Sequence, residues 1–164
     1  MPKLAKYKPL IYAVDDDVDD RYLLANIFSR HFQECTLRQF EEGASLLTHL
    51  THRLDGRLPD LIILDLHMPL FNGFELLRHL KMNDCFRSIP IVVLSACEQQ
   101  ENIEQGYSLG TISYISKVQP YSQLVTDISY LEQYWLTEVT APAYPTKQSV
   151  YLAKELTSTE LSIN

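Results

Sequence analysis

No apolar run in this sequence approaches the roughly 20 residues needed to cross a bilayer, and the longest candidate, Leu61 to Leu66, is broken by Asp65. The basic N-terminus, Met-Pro-Lys-Leu-Ala-Lys-Tyr-Lys-Pro, leads into no apolar signal-peptide core. A cytoplasmic protein is therefore expected. Cysteine is scarce. Cys35, Cys85 and Cys97 are odd in number and lack metal-ligand spacing, as reduced thiols would. Positive charge is also short: 14 Lys+Arg against 21 Asp+Glu give −7, which argues against a nucleic-acid surface. Internal repeats and low-complexity tracts are absent. With 46% apolar and 21% charged residues the chain is not intrinsically disordered, and 164 residues suit one compact domain with a little left over at an end.

Short apolar blocks alternate with helix-length amphipathic ones. Leu10 to Val14 reads as a buried strand stopped by aspartates, followed by a helix over Asp19 to Phe32 with Leu23, Leu24, Ile27 and Phe28 on one face. A weaker strand, Leu37 to Phe40, precedes a helix over Ala44 to Arg53 carrying Leu46, Leu47 and Leu50. Leu61 to Leu64 is a second strong strand. Asn72-Gly73 opens a helix bearing Phe74, Leu77 and Leu80, and Ile91 to Leu94 is the third strong strand, ending at Ser95. Glu98 to Leu109 reads as a polar helix closed by Gly110. Ile112 to Ile115 is a fifth strand, and Pro120 begins a last helix to about Leu136. Boundaries at 1–9 for an N-terminal extension, 10–136 for the domain and 137–164 for a tail follow, the tail with room for a short helix.

Strand–helix alternation of this kind predicts an α/β fold, a parallel sheet with helices on both faces. Ligands then bind beyond the carboxyl ends of the strands. Those ends carry Asp15-Asp16, Asp65, Ser95 and Lys117. Crowded carboxylates repel, and a hard divalent cation such as Mg²⁺ relieves the repulsion. A hydroxyl and an ammonium can hold phosphoryl oxygens, and a carboxylate can itself be the nucleophile. The residue set points to phosphoryl transfer.

These residues sit in motifs: Ile-Tyr-Ala-Val-Asp15-Asp16, Leu-Ile-Ile-Leu-Asp65-Leu-His-Met-Pro69, Asn72-Gly73, Ile-Val-Val-Leu-Ser95-Ala96, and Gly110 ahead of Tyr114-Ile-Ser-Lys117. In that order they resemble the receiver domain of two-component response regulators, over roughly Leu10 to Leu136. The resemblance implies a flavodoxin-like sheet of strand order 2-1-3-4-5 and a signalling protein rather than an enzyme. It implies Asp65 as phosphoacceptor, with Mg²⁺ held by Asp16, by Asp15 through water, by Asp65 and by the backbone carbonyl of His67. Ser95 and Lys117 would bind the phosphoryl group, Tyr114 would be the aromatic switch, and Pro69 and Gly73 would shape the loop after the acceptor. The implied partners are a sensor histidine kinase or histidine phosphotransfer protein, and a downstream protein on the face of the fourth helix, fifth strand and last helix. A homodimer stays open, and a bacterial source is implied.

Receivers commonly place proline directly after the lysine. Here Val118-Gln119 follow, and a trans bond is expected, because cis before a non-proline residue costs about 2.5–4 kcal/mol.

Simpler roles compete at several positions. Asp19 and Asp20 read as a solvated run at a helix start, and Tyr114 suits plain strand packing. The His67 ring and Cys97 could govern water near the phosphoryl group, whereas a zinc site built from them lacks ligands. Tyr121, Tyr130, Tyr134 and Trp135 fit either core or a partner surface. Two other functions are open. Asp15-Asp16-Asp17 has the aspartate spacing of haloacid-dehalogenase-like phosphatases, with Asp15 as nucleophile. That family needs an acidic pair after the lysine, and Val118 to Leu124 has no carboxylate. A receiver fold kept only as an interaction module is the other alternative.

Overall fold

The structure is a computed structural model and describes residues 7–68 and 72–133. Its elements are β1 (Leu10–Val14), α1 (Val18–His31), β2 (Thr36–Phe40), α2 (Gly43–His52), β3 (Leu61–Leu64), α3 (Gly73–Met82), β4 (Ile91–Ser95), α4 (Gln100–Ser108), β5 (Ser113–Ser116) and α5 (Tyr121–Leu131). Every strand pairing is parallel, and the sheet order is β2-β1-β3-β4-β5.

Side-chain alternation along β1 builds two cores. Leu10, Tyr12 and Val14 join Leu46 and Leu50 of α2 and Leu76, Leu77 and Leu80 of α3 on one face. Ile11 and Ala13 join Leu24, Ile27 and Phe28 of α1 and Leu124, Ile128 and Leu131 of α5 on the other. Strands covered on both faces need apolar residues at every position, which is why β1 and β3 are continuous hydrophobic runs. Each fully buried Leu or Ile contributes on the order of 1.5–3 kcal/mol. Tyr12, fully buried, is tolerated because its hydroxyl donates to Asp55 Oδ2 at 2.5 Å.

Several boundaries differ from the sequence expectation, each for a local reason. Helix α1 starts at Val18 because Asp17 is the N-cap, accepting from the amides of Asp19 and Asp20. Its buried stripe is Leu24, Ile27 and Phe28, while Leu23 is 37% exposed. Helix α4 starts at Gln100 rather than Glu98, whose carboxylate instead accepts from Ser116 Oγ at 2.7 Å. Strands β2 and β5, on the sheet edges, are each shifted by one residue at their starts. Pro120 is the N-cap of α5 rather than its first residue. Gly110 closes α4 at φ 104°, a conformation an L side chain rarely adopts. The expected end of the last helix at Leu136 and the tail 137–164 lie outside the described residues. Among the described residues no helix is long and apolar enough to cross a membrane.

Lys81 on α3 donates to the carbonyls of Arg87 and Ile89 at 3.2 and 2.8 Å. Burial pushes its ammonium down to about 8. The folded protein therefore binds fewer protons than the unfolded chain from about pH 8 up to the ordinary lysine value of 10.5. Stability contributed at this site rises with pH across that window. Relative to Lys81→Met, wild type is expected to gain on the order of 1–2 kcal/mol from pH 8 to 10.5, after allowance for solvent screening. Urea unfolding at both pH values measures the difference, and parallel behaviour of the two proteins would contradict it.

Candidate functional site

The carboxyl ends of β1, β3, β4 and β5 meet at one edge of the sheet. Asp15 follows β1, with its amide on Phe40 O at 3.0 Å, and Asp65 follows β3, with its amide on Val14 O at 3.1 Å. These ladder bonds hold both residues at the sheet edge. Asp15 is 8% exposed, Asp65 4% and Ser95 fully buried. Carboxylate oxygens of Asp15, Asp16 and Asp65 lie within 4.8 Å of one another. Asp15 Oδ1 accepts from the amide of Asp17 at 3.0 Å, and Asp65 Oδ1 from the amide of His67 at 3.1 Å.

Lys117 completes the set from β5. Its amide donates to Ser95 O at 2.9 Å, carrying the β4–β5 pairing one step past the strand. Its Nζ then lies 2.6 Å from Asp15 Oδ2, 2.7 Å from Asp20 Oδ2 and 3.0 Å from Asp65 Oδ2. Burial pushes Asp15 up to about 6 against the pull of Lys117. Burial also works against the Lys117 charge, but its bonds to Asp15 and Asp20, with the charges of Asp65 and Asp15, hold the ammonium above the usual lysine range.

Proline after the lysine proves unnecessary for this placement. The described residues contain no cis peptide bond. The turn is held instead by Val118 N on Ser116 Oγ at 3.0 Å and by Gln119 Nε2 on Asp127 Oδ2 at 3.1 Å, while Asp127 Oδ1 accepts from Gln123 at 3.0 Å.

Around this centre, Ser95 Oγ accepts from the amide of Cys97 at 3.3 Å, and the half-buried Tyr114 donates its hydroxyl to Cys97 O at 2.7 Å. His67 is exposed. Hydrogen bonds from its ring, from Asn102 and from the Gln99 amide lower the Cys97 thiol to about 7. His67 and Cys97 thus meet beside the carboxylates, although only the three aspartates group as candidate metal ligands among the described residues. A Cβ on Gly73 would stand 2.5 Å from Asp65 O and from Leu66 Cα, so α3 starts against the end of β3 only because that residue is glycine. Pro69 lies outside the described residues. Of the aromatics on α5, Tyr121 leans on α1, its hydroxyl 3.2 Å from His31 Nε2. Tyr130 is half-buried, and Tyr134 and Trp135 lie outside the described residues.

Asp20 is the residue that sequence reasoning placed elsewhere. It belongs to the ion-pair cluster, not only to a solvated cap. No local signal marked it: Asp20 stands in the first turn of α1 beside the strand end, and its partner Lys117 is 97 positions away.

Oxygen donors alone, three of them charged and two buried, fit a hard divalent cation rather than a soft one. Residues 11–129 match the response regulator receiver domain. The probable methanogenesis regulatory protein FilR2 of Methanothrix harundinacea is 29% identical over 129 residues, 77% of this chain and 83% of that protein. The response regulator Rcp1 of Synechocystis is 27% identical over 137 residues, covering 82% and 93%. Among solved structures, the phosphorylated cyanobacterial phytochrome response regulator RcpA superposes with a TM-score of 0.73 at 28% identity, over 84% of this chain and all of that one. The Mn²⁺-bound form of Rcp1 superposes with 0.70 at 27% identity, over 82% and 99%. The sheet order, the converging acidic edge and the match over most of the chain lead to one assignment: the protein belongs to the response regulator receiver domain family of two-component systems.

Proposed function

We propose that this receiver takes a phosphoryl group onto Asp65 from a sensor histidine kinase or a histidine phosphotransfer protein, with Mg²⁺ as its cofactor. The observation that carries the reading is the Asp65 carboxylate itself, buried at a strand end and held by the His67 amide on one oxygen and by Lys117 on the other. A buried carboxylate needs such partners, and these also fix its orientation for attack. An Asp65 oxygen forms the new bond to phosphorus while the donor's bond to phosphorus breaks. Asp16, Asp15 through water, Asp65 and the His67 carbonyl would hold the cation, which would neutralise charge on the phosphoryl oxygens.

Lys117 and Ser95 then bind the phosphoryl oxygens. Ser95 moves toward them, the Cys97 segment follows, and Tyr114 changes its packing with it. Phosphorylation biases a population between two forms of the face made by α4, β5 and α5, on which a downstream protein reads the signal, or the group passes onward in a relay. We assign this role to a cytoplasmic receiver of residues 10–136, with 1–9 as an N-terminal extension and 137–164 as a C-terminal tail.

The phosphatase alternative is not favoured: Asp17, its second aspartate, is an exposed helix cap. The interaction-module alternative rested on the residues after Lys117, and the lysine is seated among its carboxylates without the proline.

Intact-mass analysis after incubation with acetyl phosphate tests the proposal. Wild type is expected to gain one phosphoryl adduct only with Mg²⁺, and Asp65→Asn none. An adduct surviving in Asp65→Asn would move the nucleophile, with Asp15 next in line. Its absence from folded wild type, beside a labelled control receiver, would overturn the phosphoryl-accepting reading.

A further inference from the structure

Lys117 has one acidic partner more than the phosphoryl chemistry requires. An ammonium has three N–H donors, and here Asp15, Asp20 and Asp65 engage them at 2.6, 2.7 and 3.0 Å. None is left for a phosphoryl oxygen. Asp15 and Asp65 are also members of the carboxylate group suited to a cation, whereas Asp20 is not. Asp20 stands in the first turn of α1 with its side chain 37% exposed, against 12% for Lys117.

We propose that Asp20 is a positioning residue that shares the Lys117 ammonium with Asp15 and Asp65 and retains it when a cation draws those two carboxylates away, easing cation entry before phosphorylation and competing with the phosphoryl group for the same ammonium afterwards. The inference rests on Asp65 being the phosphoacceptor.

Two opposed consequences follow from one contact. Asp15 and Asp65 can turn to a divalent cation only by releasing Lys117. Asp20 then keeps a charge-assisted bond to the displaced, largely buried ammonium, which would otherwise be left unpaired at high cost. Without the Asp20 charge, Lys117 has only Asp15 and Asp65 to hold, and it competes harder for the oxygens that a cation needs. The site also loses one unit of negative charge. Both effects weaken cation binding. Once a phosphoryl group is on Asp65, the balance reverses: its oxygens must win a donor that Asp20 is using. Without that charge Lys117 is free to close on the phosphoryl oxygens. A purely structural role, such as an acidic residue favoured at a helix start, would not split the two steps in opposite directions.

The full chain with Asp20→Asn tests this by calorimetric titration, first with Mg²⁺ alone and then with the phosphoryl mimic beryllium trifluoride at saturating Mg²⁺. Mg²⁺ affinity is expected to fall and mimic affinity to rise, each by about twofold to fivefold, the range for a partly exposed ion pair. Asp20→Glu, which keeps the charge, is expected to restore the wild-type values. Asp19→Asn removes the same charge from an exposed neighbour whose amide, not its carboxylate, is bonded to Asp17, and is expected to leave mimic affinity unchanged. The inference is overturned if both affinities move together or not at all in Asp20→Asn, or if Asp19→Asn reproduces the split. Wild type that fails to bind the mimic with Mg²⁺, or Asp65→Asn that still binds it, would instead sink the phosphoacceptor reading, and this inference with it.

Discussion

Lys117→Met is expected to lose about 2–4 kcal/mol of stability in metal-free buffer near neutral pH, and to recover most of it when Mg²⁺ is added. Methionine keeps the apolar stem and removes only the charge. Asp15, Asp20 and Asp65 would then share a small volume with Asp16 and have no ammonium between them. Breaking a buried ion pair from one side typically costs 3–5 kcal/mol, because the remaining charge stays buried. The solvent contact of Asp20 lowers that figure here. A dication restores the missing countercharge. Lower pH should also narrow the deficit. Burial already pushes Asp15 up to about 6 with the lysine present, so removing Lys117 raises it further. A carboxyl raised in the folded state binds protons there before it does in the unfolded chain, and stability from it is lost as pH rises through the folded value. Phosphoryl acceptance is expected to fall by about 10²-fold or more, as on removing one electrostatic contact to a transition state. Urea unfolding with EDTA or Mg²⁺, at pH 5 and 7.5, measures the first effects. A deficit that ignores both metal and pH would show that Lys117 is not the countercharge of the site.

Gly73→Ala should be nearly as damaging, for a steric reason. The added methyl would stand 2.5 Å from Asp65 O and Leu66 Cα and 2.9 Å from Leu66 C. All three are backbone atoms, so no side chain can swing aside. Overpacking of this kind costs about 1–3 kcal/mol and sometimes more, and the upper end is expected here. Relief would require the start of α3 or the end of β3 to shift, and Asp65 would shift with the latter. Gly106→Ala is the informative contrast. Its methyl would meet only side chains, the nearest being Thr111 Cγ2 at 3.4 Å, and alanine is the better helix former. Its effect should stay within about 1 kcal/mol. Thermal unfolding of both variants, with acetyl phosphate labelling, checks the pair. Equal behaviour of the two would contradict the close approach at Gly73.

What could be read from the chain divides along the same physical lines. Strands β1, β3 and β4 are covered on both faces, so their apolar runs stop abruptly at Asp15, Asp65 and, in β4, at the strand-ending Ser95. The residues at those stops were legible for that reason, and Lys117 was legible as the residue after β5. Edge strands β2 and β5 alternate in burial, and their starts blur. Five aspartates between residues 15 and 20 offer several equivalent caps, and nothing local says that Asp17 is the one used. The bond from Asp20 to Lys117 spans 97 positions. A charge in an acidic run carries no mark of which partner folding brings to it. The trans bond after Lys117 was expected from the cost of the cis form, but the brace of Gln119 on Asp127 that holds the turn was not legible.

The central claim, that Asp65 receives the phosphoryl group, is tested most directly by locating the acyl phosphate chemically. Wild type phosphorylated with acetyl phosphate and Mg²⁺ is treated with borohydride, which reduces an aspartyl phosphate to homoserine, then digested and sequenced by tandem mass spectrometry. The expected result is homoserine at position 65 and at no other aspartate. Homoserine at position 15, 16 or 20, with position 65 unchanged, would contradict it.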